Sequence, residues 1–107
     1  MASITFQYDR PTDHTRDWIN YNGRVRDWIA RLLQTPGAVS FMAYRTVDAA
    51  SPNTTTMLEF RTLEEARKAA ASDHVKTILE EMRSTGMDHP RLLVVERSPF
   101  TPEPLRP

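Results

Sequence analysis

The sequence predicts an α+β domain in which one antiparallel sheet of four strands is covered by two helical regions, in the order β-α-β-β-α-β. Three observations carry that prediction. Short apolar segments of strand length recur at residues 3–9, 38–46, 54–60 and 91–97, two longer segments with helical periodicity stand between them, and turn-forming residues mark the junctions. The 107 residues fit one domain over 1–98, followed by a tail over 99–107 that holds four of the eight prolines and is expected to lie extended, anchored by Phe100 and Leu105.

The first strand alternates, with Ile4, Phe6 and Tyr8 on one face and Thr5 and Gln7 on the other, and Pro11 ends it. Thr12 or Asp13 is expected to cap the helix that follows, because a short side-chain oxygen accepts from the unpaired N–H groups of a first turn. At about 100° per residue, His14, Trp18, Tyr21, Val25, Trp28, Ile29 and Leu32 share one face of that helix. Asn22-Gly23 is its weak point, where a kink or a close packing contact is expected. Thr35-Pro36-Gly37 stops it.

Residues 38–46 and 54–60 form a hairpin through a loop at 47–53 that contains Ser51-Pro52-Asn53. Thr62 followed three residues later by Glu65 has capping-box spacing and opens the second helical region. Its apolar phase slips: Leu63, Ala66 and Ala70 define one face, and Ala71, Val75, Ile78, Leu79 and Met82 another. Ser72 therefore marks a break and caps a second segment, Gly86 suits the stop, and Leu92 to Val95 make the last strand.

Composition removes several function classes. Fourteen basic residues balance fourteen acidic ones, so no global field draws in a nucleic acid or an anionic membrane. The RNA-recognition module shares this element order, but it needs exposed aromatic and basic residues on its third strand, and residues 53–60 lack that motif. The absence of cysteine excludes disulfides, thiol nucleophiles and thiolate metal sites, and no other residues have metal-ligand spacing. No apolar run is long enough to span a membrane and none near the start has the form of a signal peptide, which makes the cytoplasm the expected location.

The sheet implies a partner. Phe41, Leu58, Leu92 and Val94 alternate with Met42, Met57, Leu93 and Val95, so both faces carry apolar side chains while helices cover only one. A second copy related by a two-fold axis is the simplest cover, giving a homodimer joined through the sheet.

Leu58-Glu-Phe-Arg-Thr-Leu-Glu-Glu-Ala followed by Ala71-Ser-Asp-His-Val, together with the element order, resembles the dimeric α/β-barrel superfamily, in which ferredoxin-like subunits pack sheet to sheet. The chain is most similar to its small antibiotic-biosynthesis-monooxygenase-type members. That resemblance implies a homodimer binding a small apolar or aromatic ligand between helices and sheet, and oxygenation or isomerisation of an aromatic or polyketide-like compound with no tightly bound cofactor. A non-enzymatic ligand-binding or stress-response dimer of the same fold is the alternative. The heme-degrading branch uses an asparagine on the first strand with a tryptophan and a histidine around the second helix. Here the corresponding positions carry Ala69 and Leu79, and residues 3–9 contain no asparagine.

If the protein is an enzyme, His74 is the expected base, since imidazole exchanges protons near neutral pH; the competing reading has it packed at the helix–sheet boundary and bonded to a backbone group. His14, Trp18, Tyr21, Tyr8 and Tyr44 are the expected substrate-binding residues. Trp18 and Trp28 sit in a repeated Arg-Asp-Trp-Ile, which reads either as two core indoles or, with Tyr21, as the wall of a pocket. His89 reads as loop surface. Arg45 and Glu59 on neighbouring strands suggest an ion pair or a clamp for a substrate carboxylate.

Overall fold

The computed structural model describes residues 1–48 and 50–107. The chain runs β1 (Ala2–Asp9), α1 (Arg16–Leu33), β2 (Ala38–Arg45), β3 (Thr54–Phe60), α2 (Leu63–Ala70), α3 (Asp73–Arg83) and β4 (Asp88–Glu96). All strand pairs are antiparallel and the sheet order is β2-β3-β1-β4, the ferredoxin-like arrangement expected from the sequence. Of the loop expected at 47–53, Ala49 lies outside the described residues.

Register decides which side chains face the helices. Ile4 stands opposite both Leu58 and Val94, and Phe41 opposite Leu58, so these four share one face. That face packs Ala2, Ile4, Phe6, Leu58 and Phe60 against Trp28, Ala66, Val75 and Ile78 of the helices to make the core. Thr5 stands opposite Met57 and Leu93, and Met42 opposite Met57, on the other face, which no helix covers. Arg45 lies opposite Thr54 on the helix side, whereas Glu59 lies opposite Ser40 on the uncovered side. The expected Arg45–Glu59 pair is therefore absent, because the pleat separates residues an odd number of registers apart.

Two caps follow the sequence and one does not. The Thr62 and Ser72 hydroxyls accept from Glu65 N and Val75 N at 3.1 and 3.2 Å, and the second helical region divides at Ser72. The α1 cap is Thr15, neither Thr12 nor Asp13. The Thr12 carbonyl accepts from both the Thr15 N–H (3.3 Å) and its hydroxyl (2.6 Å), forming a turn that delays the helix. His14 falls in that turn with φ 67°, off the helix face it was expected to occupy.

Helix α1 is continuous through Gly23, and a Cβ there would meet nothing within 4 Å, so the expected close contact is not present. Its polar side is tied to α3: Glu81 accepts from Arg31 Nη2 at 2.6 Å, from Arg31 Nη1 at 3.0 Å and from Arg24. Strand β4 begins at Asp88, three residues before the expected start, and His89 pairs there with Asp9 (3.2 Å) at a register shift in the β1 ladder. Phe100 and Leu105 are 90% and 77% exposed, so neither anchors the tail within its own chain; local bonds turn it, Ser98 accepting from Phe100 N (3.2 Å) and Thr101 N (3.0 Å) and Arg97 donating to Pro102 O at 2.9 Å.

Candidate functional site

A cavity of about 480 Å³ opens between α1, α3 and the helix side of the sheet. It exists because α1 leans over β2 without closing on it: Ala43 and Arg45 point to the helix side yet remain exposed, while Phe41 is half-buried. Ile4, Phe6 and Leu58 from the sheet and Val75, Leu79 and Met82 from α3 make an apolar floor. Asn22, Arg26 and Arg45 are exposed lining residues and mark the mouth. The volume suits a drug-sized organic molecule.

Aromatic rings form one wall. Phe6 and Tyr8 lie 5.2 Å apart, Tyr8 and Tyr21 6.1 Å, and Tyr21 and Trp28 5.6 Å between centroids. Arg24 stacks over the Trp28 ring at 5.2 Å. The Trp28 Nε1 is buried without an acceptor.

Within this wall the Tyr8 and Tyr21 hydroxyls are hydrogen-bonded to each other. Burial pushes the Tyr8 phenol far above its ordinary range, helped by Tyr21 and opposed by Arg10. Burial also raises Tyr21, against the opposing effects of the Tyr8 bond and the Arg10 and Arg45 charges. Both phenols are therefore protonated at neutral pH. Two O–H groups share one mutual bond, so one proton remains to be donated to something else.

The structure distributes the expected site residues unequally. Tyr8, Tyr21 and Trp28 line the cavity, whereas Tyr44 borders it on β2 but stands opposite Thr55, with its side chain on the uncovered face beside Met42. Trp18 is half-buried outside it and stacks with His14 at 5.3 Å, while His14 is exposed. His74 lies near the start of α3, where its Nε2 is 2.8 Å from the Arg31 carbonyl in the last turn of α1. It lines a separate shallow groove with Thr35, Glu65 and Lys68, so it joins two helix ends and has no access to the cavity. Among the described residues, none lining the cavity is Asp, Glu or His. Sequence reading missed Arg10 and Arg26, whose side chains look like ordinary surface charges until α1 is placed over the sheet.

Compared as a sequence, the chain matches no family model and no curated protein. Compared as a structure, it matches a mutant of SnoaB, a cofactor-independent oxygenase from Streptomyces nogalater, with TM-score 0.66 and 13% identity over 95% of this chain and 97% of that one. A solved antibiotic biosynthesis monooxygenase gives TM-score 0.62 and 13% identity over 92% and 100% of the two chains. A dimeric protein of ferredoxin-like fold from Bacteroides fragilis gives TM-score 0.64 and 9% identity over 90% and 95%. These likenesses establish the fold. The resemblance to the small antibiotic-biosynthesis-monooxygenase-type proteins thus holds for the whole architecture, and the chemistry has to be argued from the cavity.

Proposed function

We propose that this protein is a homodimer, joined through the uncovered sheet face, whose subunits bind a flat and largely apolar organic molecule and oxygenate an aromatic or polyketide-like compound without a resident cofactor. The observation that carries this reading is the buried Tyr8–Tyr21 hydroxyl pair opening into an apolar cavity of about 480 Å³. Apolar walls with one polarised donor suit a ring system bearing a keto or phenolic oxygen. The remaining tyrosine O–H donates to that oxygen and stabilises the charge that grows there when an adjacent C–H is lost. With no Asp, Glu or His among the described lining residues, the cavity lowers the energy of the substrate anion, and the proton leaves to water. The electrons come from the substrate: a CH₂ between two aromatic rings reacts with O₂ to give C=O and H₂O.

The homodimer reading is supported by Met42, Met57, Leu93 and Val95 sharing the uncovered face, with Met42 54% exposed. Thr5 Oγ1 is buried on that face without a partner. One structural neighbour is itself described as dimeric. The missing base favours a second reading, a ligand-binding dimer without catalysis. Incubating anthrone-type compounds under ¹⁸O₂ separates the two: oxygenation predicts one labelled oxygen in the product and loss of turnover in Tyr8→Phe. Binding without any label in the product would leave only the second reading.

A further inference from the structure

The cavity has a charged end that the apolar reading leaves unused. Arg10, Arg26 and Arg45 all line it, and no acidic residue does among those described. In a chain with equal numbers of acidic and basic residues, this is a strong local imbalance. Arg24 and Arg31 are paired with Glu81, and Arg97 with Glu103, whereas what sets Arg10, Arg26 and Arg45 apart from the other arginines is that they border one cavity. Among the described residues, Arg10, Arg26 and Arg45 have no carboxylate within ion-pair distance. The acids adjacent in sequence are committed elsewhere: Asp9, beside Arg10, accepts from Ser51 Oγ at 2.7 Å and Asn53 N at 2.9 Å and faces His89, and Asp27, beside Arg26, pairs with Arg31 at 3.3 Å.

These charges converge from three elements. Arg10 follows the end of β1, Arg45 ends β2 and Arg26 lies on α1. The Nε of Arg10 is buried with no acceptor, a costly arrangement for a charged donor unless something fills the site. Both Arg10 and Arg45 act electrostatically on the Tyr21 phenol, so their charges reach the hydroxyl pair.

Resting on the ligand-binding reading above, we infer that Arg10, Arg26 and Arg45 form an anion-recognition site at the cavity mouth, and that the ligand is an aromatic acid whose carboxylate sits there while its rings lie along the Phe6–Tyr8–Tyr21–Trp28 wall. A guanidinium fork matches a carboxylate in geometry and charge. The partly enclosed wall raises the strength of that pairing above its value in open water. Orientation follows as well, because the anion fixes one end of the ring system and delivers the other to the tyrosine O–H.

The test uses the intact protein carrying Trp18→Phe, so that Trp28 supplies the only indole emission. Anthracene-2-carboxylate and its methyl ester are titrated against it at low and at physiological salt. The acid is expected to bind about tenfold tighter than the ester, with the difference shrinking as salt rises. Arg45→Gln and Arg26→Gln, both at exposed positions, should each reduce that ratio, and Arg10→Gln should reduce it most. Should Arg10→Gln fail to fold, the two exposed variants decide the matter. Equal binding of acid and ester, or a preference that survives all three substitutions, would overturn the anion site and leave the cavity reading standing. Binding of neither compound would overturn both.

Discussion

Replacing the paired phenols tests the site's geometry without any ligand. Tyr8 and Tyr21 are 2% and 5% exposed, and their hydroxyls bond to each other. Phenylalanine at either position removes one hydroxyl and strips the other of its partner. An unsatisfied buried polar group costs about 1–3 kcal/mol, and water entering the adjoining cavity holds the cost near the lower end, about 1–1.5 kcal/mol. In a domain of this size each kcal/mol lowers Tm by about 4–8 °C. Replacing both residues removes the orphan as well as the bond, so the double variant should lie close to wild type, with a coupling of about 2–3 kcal/mol. Urea titrations of wild type, both single variants and the double variant measure it. If the double variant costs the sum of the singles to within about 0.5 kcal/mol, the hydroxyls do not interact and the site is misread. The pair also sets an alkaline limit. Both folded-state pKa values lie above the ordinary 10.0, so the stability they contribute is fully present below about pH 10 and is lost as pH rises through the folded values. The double variant should show a shallower alkaline decline.

Three further outcomes follow from particular residues. Gly23→Ala should raise stability by about 1 kcal/mol, because helix α1 is continuous there and the added methyl meets nothing; a loss on thermal melting would mean the glycine has a contact or a motion to serve. If the protein is the proposed sheet-to-sheet dimer, Met42→Glu should yield a folded monomer in analytical ultracentrifugation, since Met42 is 54% exposed on the uncovered face; an unchanged sedimentation coefficient would place the interface elsewhere. The Arg31 hydrogen bond, more than any other contact, holds the Glu81 carboxyl below its ordinary 4.5, so its contribution is present above about pH 4.5 and is lost as pH falls through the folded value. Glu81→Gln should lower Tm at pH 7 and flatten the acid limb, and an unchanged Tm would show that the α1–α3 ion cluster contributes nothing measurable.

Local periodicity and capping were sufficient to read the element order, the break at Ser72 and the two-faced sheet, because each depends on residues close in the chain. The α1 start was not readable in the same way. Thr12, Asp13 and Thr15 all have capping side chains, and only the hydrogen-bonded turn between Thr12 and Thr15 selects the last. That shift of one turn moved His14 off the helix face. Strand pairing decides Arg45 against Glu59, since register is a long-range property of the sheet. The cavity was half legible: the tyrosines follow from the apolar faces of β1 and α1, whereas Arg10 and Arg26 join them only when the tilt of α1 over β2 is known. His74 attracted attention by residue type and helix position, and the structure gives it a backbone carbonyl as its partner.

Tyr8 and Tyr21 are in the cavity wall while Tyr44, opposite Thr55, turns to the uncovered face of the sheet, which gives the central claim a direct readout with an internal control. Biosynthetic 3-fluorotyrosine labelling yields three ¹⁹F resonances, each belonging to Tyr8, Tyr21 or Tyr44 and assigned by single substitution. Titration with anthracene-2-carboxylate should shift the Tyr8 and Tyr21 signals together and saturably, along the same binding curve as Trp28 fluorescence, while Tyr44 on the uncovered face stays nearly unmoved. Saturable fluorescence binding that leaves the Tyr8 and Tyr21 resonances unmoved would put the ligand outside the cavity and contradict the proposed site.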